Sequence, residues 1–149
     1  MSTTTSPFLS YSNAFAAYAN GTNAASMRLC AAMYTEPALN HEAVRSLHTV
    51  SYHFFHLNRQ ALSLIAQLDQ ASAWDTSLNR EYAGSEYVDV LSSCRRECLT
   101  KHALLTAARG EVLALVPYVT GTAAQAVGQV LDLIDDMQCR LKSAGGDHV

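Results

Sequence analysis

The feature that most constrains the fold is a run of apolar residues spaced three and four apart between residues 41 and 71. The run consists of Leu47, Val50, Phe54, Leu57, Ala61, Leu64 and Leu68, and it is widened by Val44, Phe55, Leu62 and Ile65. Steps of three and four place side chains on one face of an α-helix. A single helix cannot bury such a face, so the run predicts a long helix that packs against other helices.

Three further segments have the same periodicity and predict helices at about residues 7–34, 85–115 and 120–144. Pro37 ends the first of these, and Asn40 is a suitable N-cap for the helix that follows. Gly21 predicts either a kink or a close helix contact. Cap-type residues occur at 75–77 and 84–86, so residues 75–84 are predicted as a loop or a loosely attached turn. We therefore expect an all-α fold, an antiparallel bundle of about four long helices.

The length of 149 residues suits one domain, so residues 1–149 are assigned to a single helical domain. Residues 1–6 and 145–149 are expected to be disordered, because the glycine pair at 145 and 146 ends the last helix and chain termini fray easily.

Charge and apolar content limit the function classes. The net charge at pH 7 is −3, and no Lys/Arg cluster exceeds the pair Arg95 and Arg96. Nucleic-acid binding requires a basic patch that neutralises phosphates, so we expect no nucleic-acid partner. No apolar run approaches the ~20 residues of a membrane span, and no signal-peptide pattern is found. The four cysteines are too sparse for a disulfide-stapled secreted domain, so we expect a cytoplasmic protein.

One segment carries candidate metal ligands. Cys94, Cys98 and His102 follow one another at intervals of four residues along the third helix. Two thiolates and an imidazole suit Zn or Cu(I) if a facing helix supplies a fourth ligand, such as Cys30, Cys139 or His56. The alternative is that both cysteines are small core residues, since free cysteine is among the most buried residue types.

The same segment resembles, over about a dozen residues, the alkylhydroperoxidase-like redox family, whose helix carries Glu-x-x-Cys-x-x-Cys-x-x-x-His. The resemblance implies thiol-redox chemistry at Cys94, Cys98 and His102. Here three residues separate the cysteines instead of two, and no acid stands three residues before Cys94.

Residues 1–35 form the most unusual segment, because they contain five aromatic residues and one charged residue, Arg28. A neutral aromatic helix can be the buried member of a bundle, the interface of an oligomer, or a surface that adsorbs on an apolar body. The interaction hypothesis places the contact surface on four aromatic residues, Phe8, Tyr11, Phe15 and Tyr18.

This arrangement, an opening Pro7-Phe8, a Phe/Tyr/Ala-rich helix and long helices without catalytic motifs, resembles the phasins that coat polyhydroxyalkanoate granules. The resemblance implies binding to an apolar granule surface. Phasins are generally richer in charge and poorer in Cys and His than this chain.

Two functions follow from the sequence. The first is a non-enzymatic helical interaction protein without a cofactor, which self-associates or binds a partner protein or an apolar surface. The second is a metal-binding or thiol-redox protein. Gly-rich phosphate loops, nucleophile elbows and zinc-protease motifs do not occur in the sequence, so the first function is preferred and no catalytic residue is assigned.

Overall fold

The computed structural model describes residues 7–71 and 85–146. Within these ranges the chain forms four long helices and one short 3-10 helix. They are α1 (Pro7–Thr35), α2 (His41–Ala71), α3 (Ser85–Leu113), the 3-10 helix (Val116–Tyr118) and α4 (Gly121–Gly145). The prediction of an all-α bundle of about four helices is confirmed. The loop predicted at residues 75–84 lies outside the described residues.

Polar contacts show that α1 and α2 run antiparallel. Ser26 Oγ donates to the carbonyl oxygen of Ser51 at 3.0 Å, and Ser51 Oγ donates back to the Ser26 carbonyl at 2.9 Å. Nearer the other end, Asn58 Nδ2 donates to the carbonyl oxygen of Ala19 at 2.7 Å. The residue number on α2 rises as the number on α1 falls, so the two helices point in opposite directions.

α1 lies between α2 and α4 and packs extensively against both, whereas its contacts with α3 are sparse. At the α1–α4 boundary, Arg28 Nη1 donates to Gln129 Oε1 at 2.7 Å. α4 also packs against α3, and Arg95 Nε donates to the carbonyl oxygen of Gly145 at 3.1 Å. Helices α2 and α4 thus cover two sides of α1.

The core is one cluster to which all four helices contribute. Its largest fully buried side chains are Tyr18, Phe8, Phe15, Phe54, Leu29, Leu47, Leu105, Ile134, Met137, Leu141, Val112 and Val127. Burying each large apolar side chain stabilises a fold by about 1.5–3 kcal/mol. Within residues 7–71 and 85–146, no helix combines the length and apolarity that crossing a membrane requires.

Two glycines allow the helices to approach closely. α1 continues through Gly21 without interruption, and a Cβ built at this position would overlap the side chain of Met137 on α4. A Cβ at Gly145 would lie 2.9 Å from the Cβ of Cys98 on α3. Gly21 therefore marks a close helix contact, the second of the two roles that the sequence allowed.

The loop between α1 and α2 is hydrogen-bonded to the start of α4. Asn40 caps α2 as predicted, because its Oδ1 accepts a hydrogen bond from the amide of Ala43 at 2.8 Å. Glu36 reaches across the bundle, and its Oε2 accepts from the amide of Thr122 at 3.0 Å. A carboxylate is favourable at a helix N-terminus because the first amides lack partners within the helix.

Two boundaries differ from the sequence prediction. α3 ends at Leu113, and the chain then turns into the 3-10 helix that contains Pro117. At the other end, α4 includes Gly145, which is buried, and Gly146 ends the helix with φ 106° and an amide bonded to the Lys142 carbonyl. These two glycines lie within the described residues, while residues 1–6 and 147–149 lie outside the described ranges.

Candidate interaction surface

The aromatic residues of α1 that the sequence proposed as a contact surface pack inside the chain. Phe8, Phe15 and Tyr18 are at most 1% exposed. Tyr11 is half-buried and stacks on Phe15 with ring centroids 6.3 Å apart. α1 turns this stripe towards the other helices, so three of the four side chains are not available on the folded chain. The aromatic face of α1 is thus buried within the bundle.

The interior also contains a charged residue. Lys101 is only 8% exposed and continues the core stripe of α3 between Cys98 and Leu105. Its Nζ lies 3.3 Å from Glu97 Oε2, one turn earlier on the same helix. Burial, and to a smaller extent Glu97, raises the pKa of Tyr18. Lysine is rarely found at a core position, so the spacing of apolar residues alone does not indicate Lys101 as a core residue.

Cys94 and Cys98 are buried core residues of α3 with free thiols. Burial, followed by the nearby Glu97 carboxylate, raises the pKa of Cys94 to about 11. Burial, followed by Cys94 and Glu97, raises the pKa of Cys98 to about 12. Thiols with such values remain protonated at neutral pH, and the protonated form is a poor nucleophile and a poor metal ligand.

The other candidate ligands do not join these thiols. Cys30 and Cys139 are exposed on α1 and α4 and have free thiols. His56 is exposed on α2 and makes an edge contact with Tyr52, with ring centroids 4.4 Å apart. Among the described residues, no group of three or more His, Cys, Asp or Glu side chains could hold a metal ion. The structure therefore does not bring Cys94, Cys98 and His102 together into a metal site.

The exposed face of α2 carries a second repeat at steps of three and four, which we name the outer stripe of α2. It consists of His41, Arg45, His48, Tyr52, Phe55, Arg59, Leu62, Ala66 and Asp69, all of them exposed. Tyr52, Phe55 and Leu62 are 52%, 45% and 55% exposed. Apolar residues at such spacing are the pattern that two helices use to pack along a seam, and here Tyr52, Phe55 and Leu62 are the large apolar or aromatic members. The outer stripe therefore has the geometry of a helix-packing face.

Its aromatic side chains support one another. Tyr52 stacks with His48 at a centroid distance of 6.4 Å and an interplanar angle of 6°. Tyr52 also lies 6.2 Å from the ring of Phe55, and the guanidinium carbon of Arg59 lies 5.9 Å from that ring. These contacts restrict the conformations of the Tyr52, Phe55 and Arg59 side chains.

α1 presents an uncharged exposed face beside this stripe, which we name the outer stripe of α1. It consists of Leu9, Asn13, Ala16, Asn20, Asn23, Met27, Cys30 and Tyr34, again at steps of three and four and all exposed. Phe55 and Leu62 lie four residues after Ser51 and Asn58, the two α2 residues that bond to α1. The two outer stripes therefore border one another across the α1–α2 contact.

On its other side, α2 faces α3 across a groove of about 350 Å³, lined by residues that include Arg45, Val50 and Tyr118. At the edge of this groove, His53 Nδ1 and Glu111 Oε2 are hydrogen-bonded at 2.5 Å. Because His53 and Glu111 are hydrogen-bonded to each other, neither is free to act as an acid or a base at the edge of this groove.

The apolar run of α2 from Leu47 to Leu68 is its inner stripe, and the prediction that Phe55 and Leu62 widen it is wrong. Each follows a buried residue, Phe54 and Ala61 respectively, and one residue along a helix turns the side chain by about 100°. The second repeat from His41 to Asp69 is the sequence signal that would have revealed the outer stripe. It is less visible than the inner stripe because only three of its nine members are large and apolar or aromatic.

Comparisons with protein-family models, with curated proteins and with solved structures each found no match to this chain.

Proposed function

We propose that this chain is a non-enzymatic helical interaction protein that docks through the outer stripes of α2 and α1. One observation carries the proposal: all nine positions of the α2 stripe are exposed although they include Tyr52, Phe55 and Leu62 at the spacing of a helix-packing seam. Large apolar and aromatic side chains grouped on an exposed helix face among polar residues favour a binding surface.

The composition of the surface supports this proposal. Tyr and Arg are the residue types that contribute most often to binding energy at interfaces. Tyr52, Phe55 and Arg59 form such a cluster near the middle of α2. The adjacent α1 face carries no charge, so docking there would require no desolvation of ions.

The proposal includes a cytoplasmic location, since all four cysteines are free and reducing compartments keep thiols unpaired. It also retains the phasin-like possibility that the occupant is an apolar granule surface. The raised pKa values of the buried thiols count against the redox alternative.

The proposal is tested with the double variant Tyr52→Glu and Phe55→Glu. Two carboxylates in the centre of the stripe would have to be desolvated on docking, so we expect self-association and adsorption to apolar beads to be lost. The molar mass is measured by sedimentation velocity, and adsorption by depletion of protein from solution. Circular dichroism verifies that the helical content is retained.

The matched control is Val88→Glu and Leu99→Glu on α3, which removes two equally exposed apolar residues outside the surface. This control should associate and adsorb like the unmodified protein. The proposal fails if the unmodified protein neither associates nor adsorbs, or if the α2 variant and the α3 variant behave alike.

A further inference from the structure

We propose that the occupant of this surface is an anionic lipid bilayer, which the outer stripes of α2 and α1 contact side by side and bind more tightly at acidic pH. The inference rests on the proposed function, because it names the partner of the same surface. It is carried by the distribution of charge between the helices, by the side chains that lie between the positive charges, and by three exposed histidines.

The charges of the chain are unevenly distributed between the helices. α1 contains no acidic residue, and neither does α2 between residues 43 and 68. This part of α2 carries Arg45 and Arg59, which are both exposed members of the outer stripe. The two acidic residues of α2, Glu42 and Asp69, lie near its ends, whereas α3 contains four acidic residues and α4 contains three. Although the net charge is −3, the middle of the α2 stripe is therefore positive and complementary to an anionic surface.

Apolar and aromatic side chains lie between and beside these cations. Tyr52 and Phe55 stand between Arg45 and Arg59 in the stripe, and Leu62 follows Arg59 by three residues. A helix that lies in a membrane interface inserts its apolar side chains towards the acyl chains and keeps its cations at the anionic headgroups. Tyrosine suits the level of the headgroups, because its ring is apolar and its hydroxyl is polar. The α2 stripe thus has the composition of an interfacial helix face.

The outer stripe of α1 extends the apolar contact without adding charge. Leu9, Met27 and Tyr34 are each at least half exposed in this stripe. α2 has 31 residues and is about 46 Å long, and α1 lies along it, so the apolar side chains are spread over an extended face. A folded partner needs a shape that complements such a face, whereas fluid lipids rearrange around each side chain. The spread of the apolar positions therefore favours a bilayer over a protein partner.

Three exposed histidines lie on the same side of α2. His41 and His48 are members of the stripe, and His56 lies one turn after Tyr52. The Tyr52 ring stacks with His48 and makes an edge contact with His56. Nε2 of His41 lies 3.2 Å from the guanidinium of Arg45. Histidine is the side chain whose ordinary change of charge falls between pH 5 and 8. Acidification should therefore add positive charge to this face and strengthen its attraction to anionic lipid.

Charged groups of the neighbouring helices engage other partners. Glu111 of α3 is hydrogen-bonded to His53, on the groove side of α2. Arg28 of α1 donates to Gln129 of α4. Neither helix thus places a carboxylate against the three histidines of the face. The remaining titratable groups of α1 and α2 beside this face are Glu42, Arg59, Asp69, Cys30 and Tyr34.

The inference is tested by co-sedimentation with vesicles of phosphatidylcholine that contain about one third phosphatidylglycerol, compared with vesicles of phosphatidylcholine alone. The unmodified protein should bind the anionic vesicles at least about tenfold more tightly than the neutral ones. Binding to the anionic vesicles should be at least about tenfold tighter at about pH 5.5 than at about pH 7.5. It should weaken at about 1 M salt, because exposed charges are then screened. Circular dichroism at both pH values verifies that the chain remains folded.

The charge contribution is tested with the double variant Arg45→Gln and Arg59→Gln. A cation near an anionic membrane contributes about fivefold to affinity, so this variant should bind anionic vesicles at least about tenfold more weakly than the unmodified protein. The matched control is Arg96→Gln and Arg140→Gln, which removes the same charge from exposed positions of α3 and α4. This control should bind like the unmodified protein.

The pH dependence is tested with the double variant His48→Gln and His56→Gln. It should lose most of the gain in affinity on acidification, because two of the three histidines of the face are removed. His102→Gln on α3 is the control and should retain the gain. Equal gains in the double variant and in the unmodified protein would contradict the inference.

Other outcomes overturn the inference and affect the proposed function differently. Equal binding to anionic and neutral vesicles, or equal losses in the two arginine variants, would exclude an anionic bilayer as the occupant. If the Tyr52→Glu and Phe55→Glu variant still lost self-association or bead adsorption, the docking surface would stand with a second copy or an uncharged apolar body as its occupant. A protein that neither associates, adsorbs to beads nor binds vesicles would reject both the inference and the proposed function.

Discussion

The aromatic residues of α1 and α2 have similar helical spacing and opposite environments. Phe15 and Tyr18 of α1 are buried between helices, whereas Tyr52 and Phe55 of α2 are exposed and contact one another along the helix. The difference arises because the α1 stripe faces the core and the outer stripe of α2 faces away from it. Aromatic spacing therefore predicts a packing face, and the position of the helix decides whether that face is buried in the core or left exposed.

The largest expected effect is the difference in stability between a variant that lacks one buried ring of α1 and a variant that lacks one exposed ring of α2. Phe15→Ala should lower the free energy of unfolding by about 3–5 kcal/mol, because it leaves a cavity in the core. Phe55→Ala should change it by no more than about 0.5 kcal/mol, since its ring lies at the surface. The measurement is urea denaturation in dilute solution, where association contributes least. Equal losses in the two variants would contradict the distinction between inner and outer rings.

The cysteines provide a second comparison of interior and surface. Because the folded chain raises the pKa of Cys98 from 9.0 to about 12, folding favours the neutral thiol. The stability that this contributes is present below pH 9 and is lost as the pH rises towards 12. Between pH 9 and 11, the free energy of unfolding of the unmodified protein should fall by on the order of 2 kcal/mol more than that of Cys98→Ala.

Chemical denaturation at each pH gives the free energies for this test. Cys139→Ala is the control, because this thiol is exposed on α4. If Cys98→Ala and the unmodified protein lose stability in parallel above pH 9, the thiol of Cys98 is not the group responsible.

The smallest expected effect concerns the close contact of α1 with α4. Gly128→Ala places its Cβ in open space on α4 and should stabilise the helix by up to about 1 kcal/mol. Gly21→Ala meets Met137 and should lose this gain, because the methionine must move out of well-packed space. We expect the two variants to differ by about 1–2 kcal/mol in thermal or urea unfolding. A stabilising Gly21→Ala would show that α1 and α4 are less tightly packed.

Much of the fold could be read from the sequence by local rules. The repeat in residues 41–71 located α2, and Asn40 was recognised as its cap because a side-chain oxygen can bond the first free amides of a helix. Gly21 was recognised as a kink or a close contact, and only the neighbouring Met137 distinguishes the two. Rules based on local sequence carry no information about residues that are far apart in the chain and adjacent in the fold.

The candidate surface was harder to predict. The sequence drew attention to Phe8, Phe15 and Tyr18 because they stand in a segment almost without charge, and these residues became core. The exposed rings of the α2 stripe, Tyr52 and Phe55, lie among histidines and arginines, so the apolar spacing is less evident there. Lys101 was missed for the opposite reason, since a charged side chain is not expected at a core position. Its charge is balanced by the ion pair with Glu97.

The sequence by itself determined the all-α class, the number of long helices, and the spacing of every stripe, because these depend on the period of 3.6 residues and on local capping. Only the tertiary structure decided which stripe faces inward. A helical period fixes the angles between side chains on one helix, but it carries no information about which neighbouring helix covers which face. That choice depends on how four helices share one core, and it leaves the outer stripes of α1 and α2 exposed.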